Sequence, residues 1–206
     1  MPCLSETSNI AIVIPAAGAS SRLGSPKQLL QWGDTNLLSH CIETASSVAC
    51  KEIFLVLGAY KDEIREQLTR QTVEILENPG WESGLGSSIA LAMNKITQSP
   101  HNIDAALIML PDQPLVDLDF LKRLLKEFSP GNEQIIASVY EDGRIGVPAL
   151  FDRSYFKELS ALSSDKGARK LITENLNEVT AIPGEGKLKD IDTREAYEAL
   201  YRATHQ

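Results

Sequence analysis

The sequence predicts an α/β protein built on a mostly parallel sheet with helices on both faces. Three observations carry this. Apolar runs of strand length recur through the first half of the chain, segments with helical spacing of apolar residues separate them, and a turn-forming residue follows each run. Strands that alternate with helices are the signature of βαβ units, whose crossovers are right-handed. A length of 206 residues with 43% hydrophobic and 23% charged residues suits a folded domain and excludes a disordered or low-complexity chain.

Residues 1–9 read as a flexible N-terminal tail without the basic start and apolar stretch of a secretory signal. The run Ile10-Ala11-Ile12-Val13-Ile14 is continuous and apolar, which fits a strand buried on both faces. The runs at 53–57 and 105–110 repeat it, and Val73-Glu74-Ile75-Leu76 is a weaker one. Between them, Leu37, Leu38, Cys41, Ile42 and Ala45 have helical spacing, as do Ile64 with Leu68, and Ile89, Ala90, Met93 and Ile96. The second half predicts a helix at 117–128, strands at 134–140 and 145–151, and helices at 154–162, 166–175 and 193–203. Strands at 179–182 and 188–191 are expected between the last two helices. No repeat or linker divides residues 10–206, so they read as a single domain. Ligands of such sheets bind beyond the carboxyl ends of the strands. That rule singles out the loops starting at Pro15, Gly58, Asn78 and Pro111.

Charge and cysteine content narrow the function. Twenty Lys and Arg against 28 Asp and Glu give a net charge of −8, which opposes a surface-wide attraction to nucleic acid or anionic lipid. Any phosphate must be held locally. The cysteines Cys3, Cys41 and Cys50 are odd in number and form no C-x-x-C pair, so a reducing, cytoplasmic setting is expected. No apolar run has the length of a membrane helix.

The loop after the first strand joins small residues to two cations: Pro15-Ala16-Ala17-Gly18-Ala19-Ser20-Ser21-Arg22-Leu23-Gly24-Ser25-Pro26-Lys27. Backbone N–H groups around Gly18 can approach an anion closely, and Arg22 and Lys27 supply charge for several phosphates. A solvated polar loop is the alternative. The loop fits neither a Walker A motif nor a dinucleotide fingerprint.

Gly84-Leu85-Gly86-Ser87-Ser88 precedes a helical pattern, so its amides and hydroxyls could face an anionic ligand, or Ser87 or Ser88 could simply cap the helix. Asp112, after an apolar strand and Pro111, sits where a carboxylate could hold a metal against phosphate oxygens; a plain turn is the alternative. Asp190 and Asp192, two residues apart on an extended segment, point to one side. They read as metal-side carboxylates, or Asp192 and Glu195 as a capping box for the last helix. His40, His101 and His205 lack the spacing of a zinc hydrolase, and no G-x-S-x-G elbow is present. Trp81 reads as a nucleotide-stacking or a packing residue.

Four ordered motifs together resemble the molybdenum cofactor cytidylyltransferases, within the MobA-like nucleotidyltransferase group. They are the first loop, Asn78-Pro79-x-Trp81-x-x-Gly84-Leu85-Gly86-Ser87-Ser88, the Asp112-Gln113-Pro114 turn, and Asp190-Ile191-Asp192-Thr193. The resemblance implies a three-layer αβα, Rossmann-like nucleotidyltransferase fold with a mostly parallel, mixed sheet. It implies transfer of CMP from CTP to molybdopterin with release of pyrophosphate, Mg²⁺ (for which Mn²⁺ can substitute) on Asp112 and Asp192, and delivery to xanthine dehydrogenase-like molybdenum hydroxylases. Carried over by residue, Ala16, Ala17, Gly18 and Ser20 line the nucleotide, Arg22 and Lys27 hold the triphosphate as the catalytic cations, and Gly84, Ser87 and Ser88 meet base or sugar. Ala16-Ala17-Gly18 resembles the CTP-using branch. Pro148, Asp165, Lys166 and Arg169 fall in acceptor-side motifs, with Val147 and Ser164 standing where the family often has histidine and glycine. The alternatives are guanylyl transfer, transfer to a sugar phosphate, or a non-catalytic cofactor-delivery protein.

Overall fold

The computed structural model describes residues 9–20, 25–68, 72–165 and 167–205. In chain order the first half holds β1 (Ile10–Pro15), a 3₁₀ turn (Lys27–Leu29), β2 (Gln31–Trp32), β3 (Thr35–Asn36), α1 (Leu37–Ser46), β4 (Glu52–Leu57), α2 (Lys61–Gln67), β5 (Glu74–Glu77) and α3 (Leu85–Ile96). The second half holds β6 (Ala105–Ile108), α4 (Leu118–Lys126), β7 (Ile135–Val139), β8 (Ile145–Asp152), α5 (Phe156–Ser160), α6 (Ala168–Glu174), β9 (Val179–Pro183) and α7 (Arg194–His205). The tail expected at 1–9 lies outside the described residues except for Asn9, whose N–H donates to Asp104 at 2.9 Å.

Among the described residues, seven strands form one mixed sheet in the order β5-β4-β1-β6-β8-β7-β9. Only β8 runs antiparallel to its neighbours. It reverses because a tight turn at 140–144 joins it to β7, with the Tyr140 N–H bonded to the Arg144 carbonyl. The alternation along β1 explains the three layers. Ile10, Ile12 and Ile14 pack on one face with α1, α2 and α4, while Ala11 and Val13 pack on the other with α3, α5 and α6. Both faces are buried, so the strand reads as an unbroken apolar run.

Helix starts follow capping chemistry. Asn36 accepts from the Ser39 N–H at the head of α1, and Asp117 accepts from the Phe120 N–H at the head of α4. Residues 188–191 form no strand, contrary to expectation. Leu188 joins the core under α4, whereas Ile191 packs with Trp32 and Leu37. The segment crosses from one cluster to another, and its apolar residues serve packing rather than a ladder. The helix expected at 154–162 is a 3₁₀ turn (Arg153–Tyr155) followed by the shorter α5. A short hairpin of β2 and β3, turned at Gly33 with φ +59°, adds a feature too brief to show alternation.

The parallel registers bring the carboxyl ends of β1, β4, β5 and β6 to one edge. Backbone bonds fasten the loops there: Ala16 N–H to the Val56 carbonyl at 2.8 Å, Ala59 N–H to Ala17 at 3.0 Å, and Asn78 N–H to Leu57 at 2.8 Å. Among the described residues, no helix is long and apolar enough to cross a membrane.

Candidate active site

The loop after β1 is shaped from within by Gln28, which is 3% exposed. Its amide donates to the Ala16 carbonyl at 2.9 Å and to the Gly18 carbonyl at 3.2 Å, and its oxygen accepts from the Ser20 hydroxyl at 3.3 Å. The same hydroxyl accepts from the Lys27 N–H at 3.2 Å. The small-residue loop is thus latched to the turn that carries Lys27. Ser20 has φ +50°, a left-handed backbone uncommon outside glycine. Gly58 is dictated by close approach, since a Cβ there would stand 2.6 Å from the Ala17 carbonyl oxygen and 2.7 Å from Trp81 Cβ.

Three sequence-distant charged groups meet at this edge. The Lys27 ammonium lies 2.5 Å from Asp112 and 3.4 Å from Asp192. Burial by itself would lower the pKa of Lys27, but the two carboxylates outweigh it and hold the group above its ordinary value. Asp192 is available because it does not cap α7. Thr193 does so, its hydroxyl accepting from the Ala196 N–H at 3.2 Å. The capping-box expectation for Asp192 is therefore corrected, and its side chain stays 56% exposed beside Lys27. Asp190 accepts from the Gln113 amide at 2.8 Å. Desolvation, reinforced by Asp112 and Asp192, raises its pKa.

These residues fit a divalent cation in one specific way. Asp112 Oδ2 holds Lys27, whereas its Oδ1 is buried without a hydrogen-bond partner among the described residues. Such an orphaned acceptor is costly to leave unmatched. No group of three or more His, Cys, Asp or Glu is placed to hold a metal by itself among the described residues. An ion here would rely on two carboxylates plus ligand and water oxygens, which is the habit of Mg²⁺.

A cleft of 560 Å³ opens above this cluster, walled by Ala16, Gly18, Ser20, Lys27, Asp112 and Asp192. A second cleft of 310 Å³, bordered by Ala17, Trp81, Gly84 and Ser88, shares Gly18, Ser20, Leu85 and Asp165 with the first. Gly84, at φ +97°, is the N-cap of α3, so neither Ser87 nor Ser88 caps it as the alternative had it. Their hydroxyls accept from the buried Asn78 amide at 2.9 and 3.0 Å. That pins the head of α3 to the end of β5. Asp165 lies against Gly84, leaving no room for a Cβ, and so borders the same clefts as Gly18. Arg169 borders a separate cavity of 160 Å³ with Val147 and Arg144. Pro148 is buried in β8, its carbonyl bonded to Ser138, and borders none of these cavities. Arg22 and Lys166 lie outside the described residues.

Residues 12–179 match the MobA-like NTP transferase domain. The chain belongs to that family. As a MobA-like NTP transferase it is 30% identical to nicotine blue oxidoreductase of Paenarthrobacter nicotinovorans, over 98% of this chain and 97% of that protein. It is 27% identical to the bifunctional protein GlmU of Pseudomonas syringae pv. syringae, over 96% of this chain but only 47% of that longer protein. Rv0371c of Mycobacterium tuberculosis H37Rv superposes with a TM-score of 0.80 at 31% identity, covering 95% of this chain and 98% of that one. A structure of Rv0371c in complex with manganese aligns at 28% identity and a TM-score of 0.77, covering 95% and 100%.

In this MobA-like chain, sequence reasoning overlooked Gln28, Asn78 as a side-chain donor, and the side chain of Gln113. Each is a buried amide at a loop edge. The signal available was position: a polar side chain directly after Lys27, after β5 or after Asp112 has to find partners there, because burial without them is costly.

Proposed function

We propose that this MobA-like NTP transferase moves CMP from CTP to molybdopterin, giving molybdopterin cytosine dinucleotide and pyrophosphate. The observation that carries the reading is the Lys27, Asp112 and Asp192 cluster at the mouth of the cleft bordered by the small-residue loop. The Ala16-Ala17-Gly18 wording, which resembles the CTP-using branch, supports the choice of base.

The chemistry follows from charge. The acceptor is a phosphate monoester with a second pKa of about 6, so it is mostly dianionic at neutral pH and needs no general base. What opposes reaction is the repulsion of two polyanions, and the chain answers it with fixed geometry and local cations. Lys27, charged throughout the neutral range, draws the triphosphate to the rim, and Arg22 is assigned the same role from the sequence. The backbone around Ala16, Ala17, Gly18 and Ser20 sets the position of the phosphates. Gly84, Ser87 and Ser88 shape the base and sugar side, and Asp165, Lys166 and Arg169 receive the acceptor. Asp112 and Asp192 would hold Mg²⁺ or Mn²⁺, and a bound ion supplies charge stabilisation at phosphate oxygens. The manganese complex of the similar Rv0371c supports a divalent ion in this group of proteins.

The deciding experiment incubates purified protein, Mg²⁺ and molybdopterin with CTP or GTP and identifies the products by mass. Cytosine dinucleotide with equimolar pyrophosphate is expected from CTP. Product from GTP alone moves the assignment to guanylyl transfer, and no pyrophosphate with either nucleotide removes it. A second reading rests on the similarity to nicotine blue oxidoreductase across almost its whole length. Under it the cleft binds a nucleotide-bearing redox cofactor, and dye reduction without pyrophosphate release is its mark.

A further inference from the structure

Between the metal-side carboxylates and the turn joining β7 to β8 lies a buried polar chain that the proposed reaction does not use. Gln113 is 3% exposed. Its amide nitrogen donates to Asp190 Oδ1 at 2.8 Å and to the Tyr140 hydroxyl at 2.5 Å, and that hydroxyl donates onward to the Val147 carbonyl at 2.8 Å. The direction is fixed by chemistry. Asp190 and the Val147 carbonyl can only accept, so the NH₂ end of Gln113 must face Asp190, and the Tyr140 proton must go to Val147.

The segment 190–192 needs such a tether. It belongs to no strand, so no ladder sets its register. Apart from the buried Ile191 side chain, two hydrogen bonds fasten it to the Asp112 turn: Ile191 N–H to the Asp112 carbonyl at 2.9 Å, and Gln113 to Asp190. Asp190 and Asp192 flank Ile191, whose N–H is bonded to Asp112 and whose side chain is buried, so little chain separates the two carboxylates from one anchored residue. Holding Asp190 against Gln113 therefore fixes where Asp192 emerges, beside Lys27 and Asp112. The ring of Tyr140 is in turn held by the Arg144 guanidinium, 4.8 Å from its centroid. A small cavity bordered by Tyr140, Arg144 and Val147 adjoins it.

We infer that Gln113 is a positioning residue for the divalent-cation site, acting through Asp190 on Asp192, with Tyr140 locking the Gln113 amide in its donating orientation. This rests on the reading of Asp112 and Asp192 as the cation-holding pair. Residues one layer behind metal ligands typically affect affinity by about 10- to 100-fold.

The test titrates Mn²⁺ alone into the full chain and reads free ion by electron paramagnetic resonance, without nucleotide or turnover. Asp192→Asn is expected to weaken Mn²⁺ binding at least about 10-fold, Gln113→Leu by about 10-fold, and Tyr140→Phe by a few-fold. The Gln113→Leu, Tyr140→Phe double variant should be no weaker than Gln113→Leu, because both break one chain. Leu159→Ala, remote in α5, controls for stability: it should lower the melting temperature and leave Mn²⁺ affinity unchanged. If Asp192→Asn weakens binding and Gln113→Leu stays within twofold of wild type, the inference is overturned. If Asp192→Asn itself has no effect, the cation-pair reading fails instead. Should Gln113→Leu not fold, Tyr140→Phe carries the test, and wild-type affinity in that variant overturns the role assigned to the chain.

Discussion

Lys27 is held by two carboxylates, so its removal does more than delete a cation: it leaves Asp112 and Asp192 facing each other without a counter-ion. Lys27→Ala is expected to lower turnover at least about 100-fold, the scale of one strong electrostatic contact in a preorganised site, measured as pyrophosphate release with the fold checked by circular dichroism. The raised pKa of Lys27 gives its contribution a defined pH window. It is fully present below the ordinary value of 10.5 and is lost only as pH rises through the higher folded value. Asp190 has the opposite sign. Its carboxyl is raised in the fold, so ionisation there opposes folding once pH passes 3.8 and reaches its full extent above the folded pKa. Asp190→Asn, which can still accept from Gln113, should therefore raise the melting temperature at neutral pH. It should change nothing well below 3.8. A lower melting temperature at pH 7 would contradict the desolvation argument. At Gly58, the contacts with Ala17 and Trp81 exclude any Cβ. Gly58→Ala should lose about 1–3 kcal/mol by overpacking, with a raised KM for nucleotide.

At the scale of elements, α7 illustrates how a helix cap and the carboxylate beside Lys27 can be separated by one position. Thr193 supplies the cap and Asp192 the carboxylate. Thr193→Ala should lower stability by about 1 kcal/mol, whereas Asp192→Asn should abolish metal-dependent turnover and leave the denaturant midpoint nearly unchanged. Equal loss of stability in both would return Asp192 to a structural role. The same helix is anchored by an aromatic ladder against the β2–β3 hairpin. His205 stands edge-on to the buried Trp32, with ring centroids 4.7 Å apart, and Tyr201 stacks on His205 at 4.4 Å. The Tyr197 hydroxyl donates to the Gln31 carbonyl at 2.9 Å. The hairpin lies just after the Lys27 turn and α7 just after Asp192, so this clasp joins the two segments that carry those residues.

Across the whole molecule, the net charge of −8 opposes the approach of the polyanions proposed as substrates. Long-range repulsion is screened within about 8 Å at physiological salt, whereas partly buried pairs are screened less. The expected result is a nucleotide association rate that rises between low and physiological ionic strength, read by stopped-flow; a steep fall would mean that a broader positive surface governs capture. Much of this architecture was legible in the residues. The runs at 10–14 and 53–57 are buried on both faces of the sheet, as is 105–108 of the third run, whose strand stops two residues short of expectation, and the spacing at 37–45 and 89–96 follows the buried faces of α1 and α3. The segment 188–191 misled because Leu188 and Ile191 are apolar for two different clusters, and periodicity records burial without saying against what. The seats of Lys27, Asp112 and Asp192 could be guessed one at a time as loop residues at strand ends. The sequence by itself determined the alternation of strands and helices, the acidic balance and the residue types at the rim, because these depend on local pattern and composition. Only the tertiary structure decided that Lys27 meets carboxylates 85 and 165 positions away, that Thr193 frees Asp192, and that Gln28 and Gln113 brace the loops. Those outcomes rest on sheet order and on buried hydrogen bonds between distant segments, which no local pattern encodes.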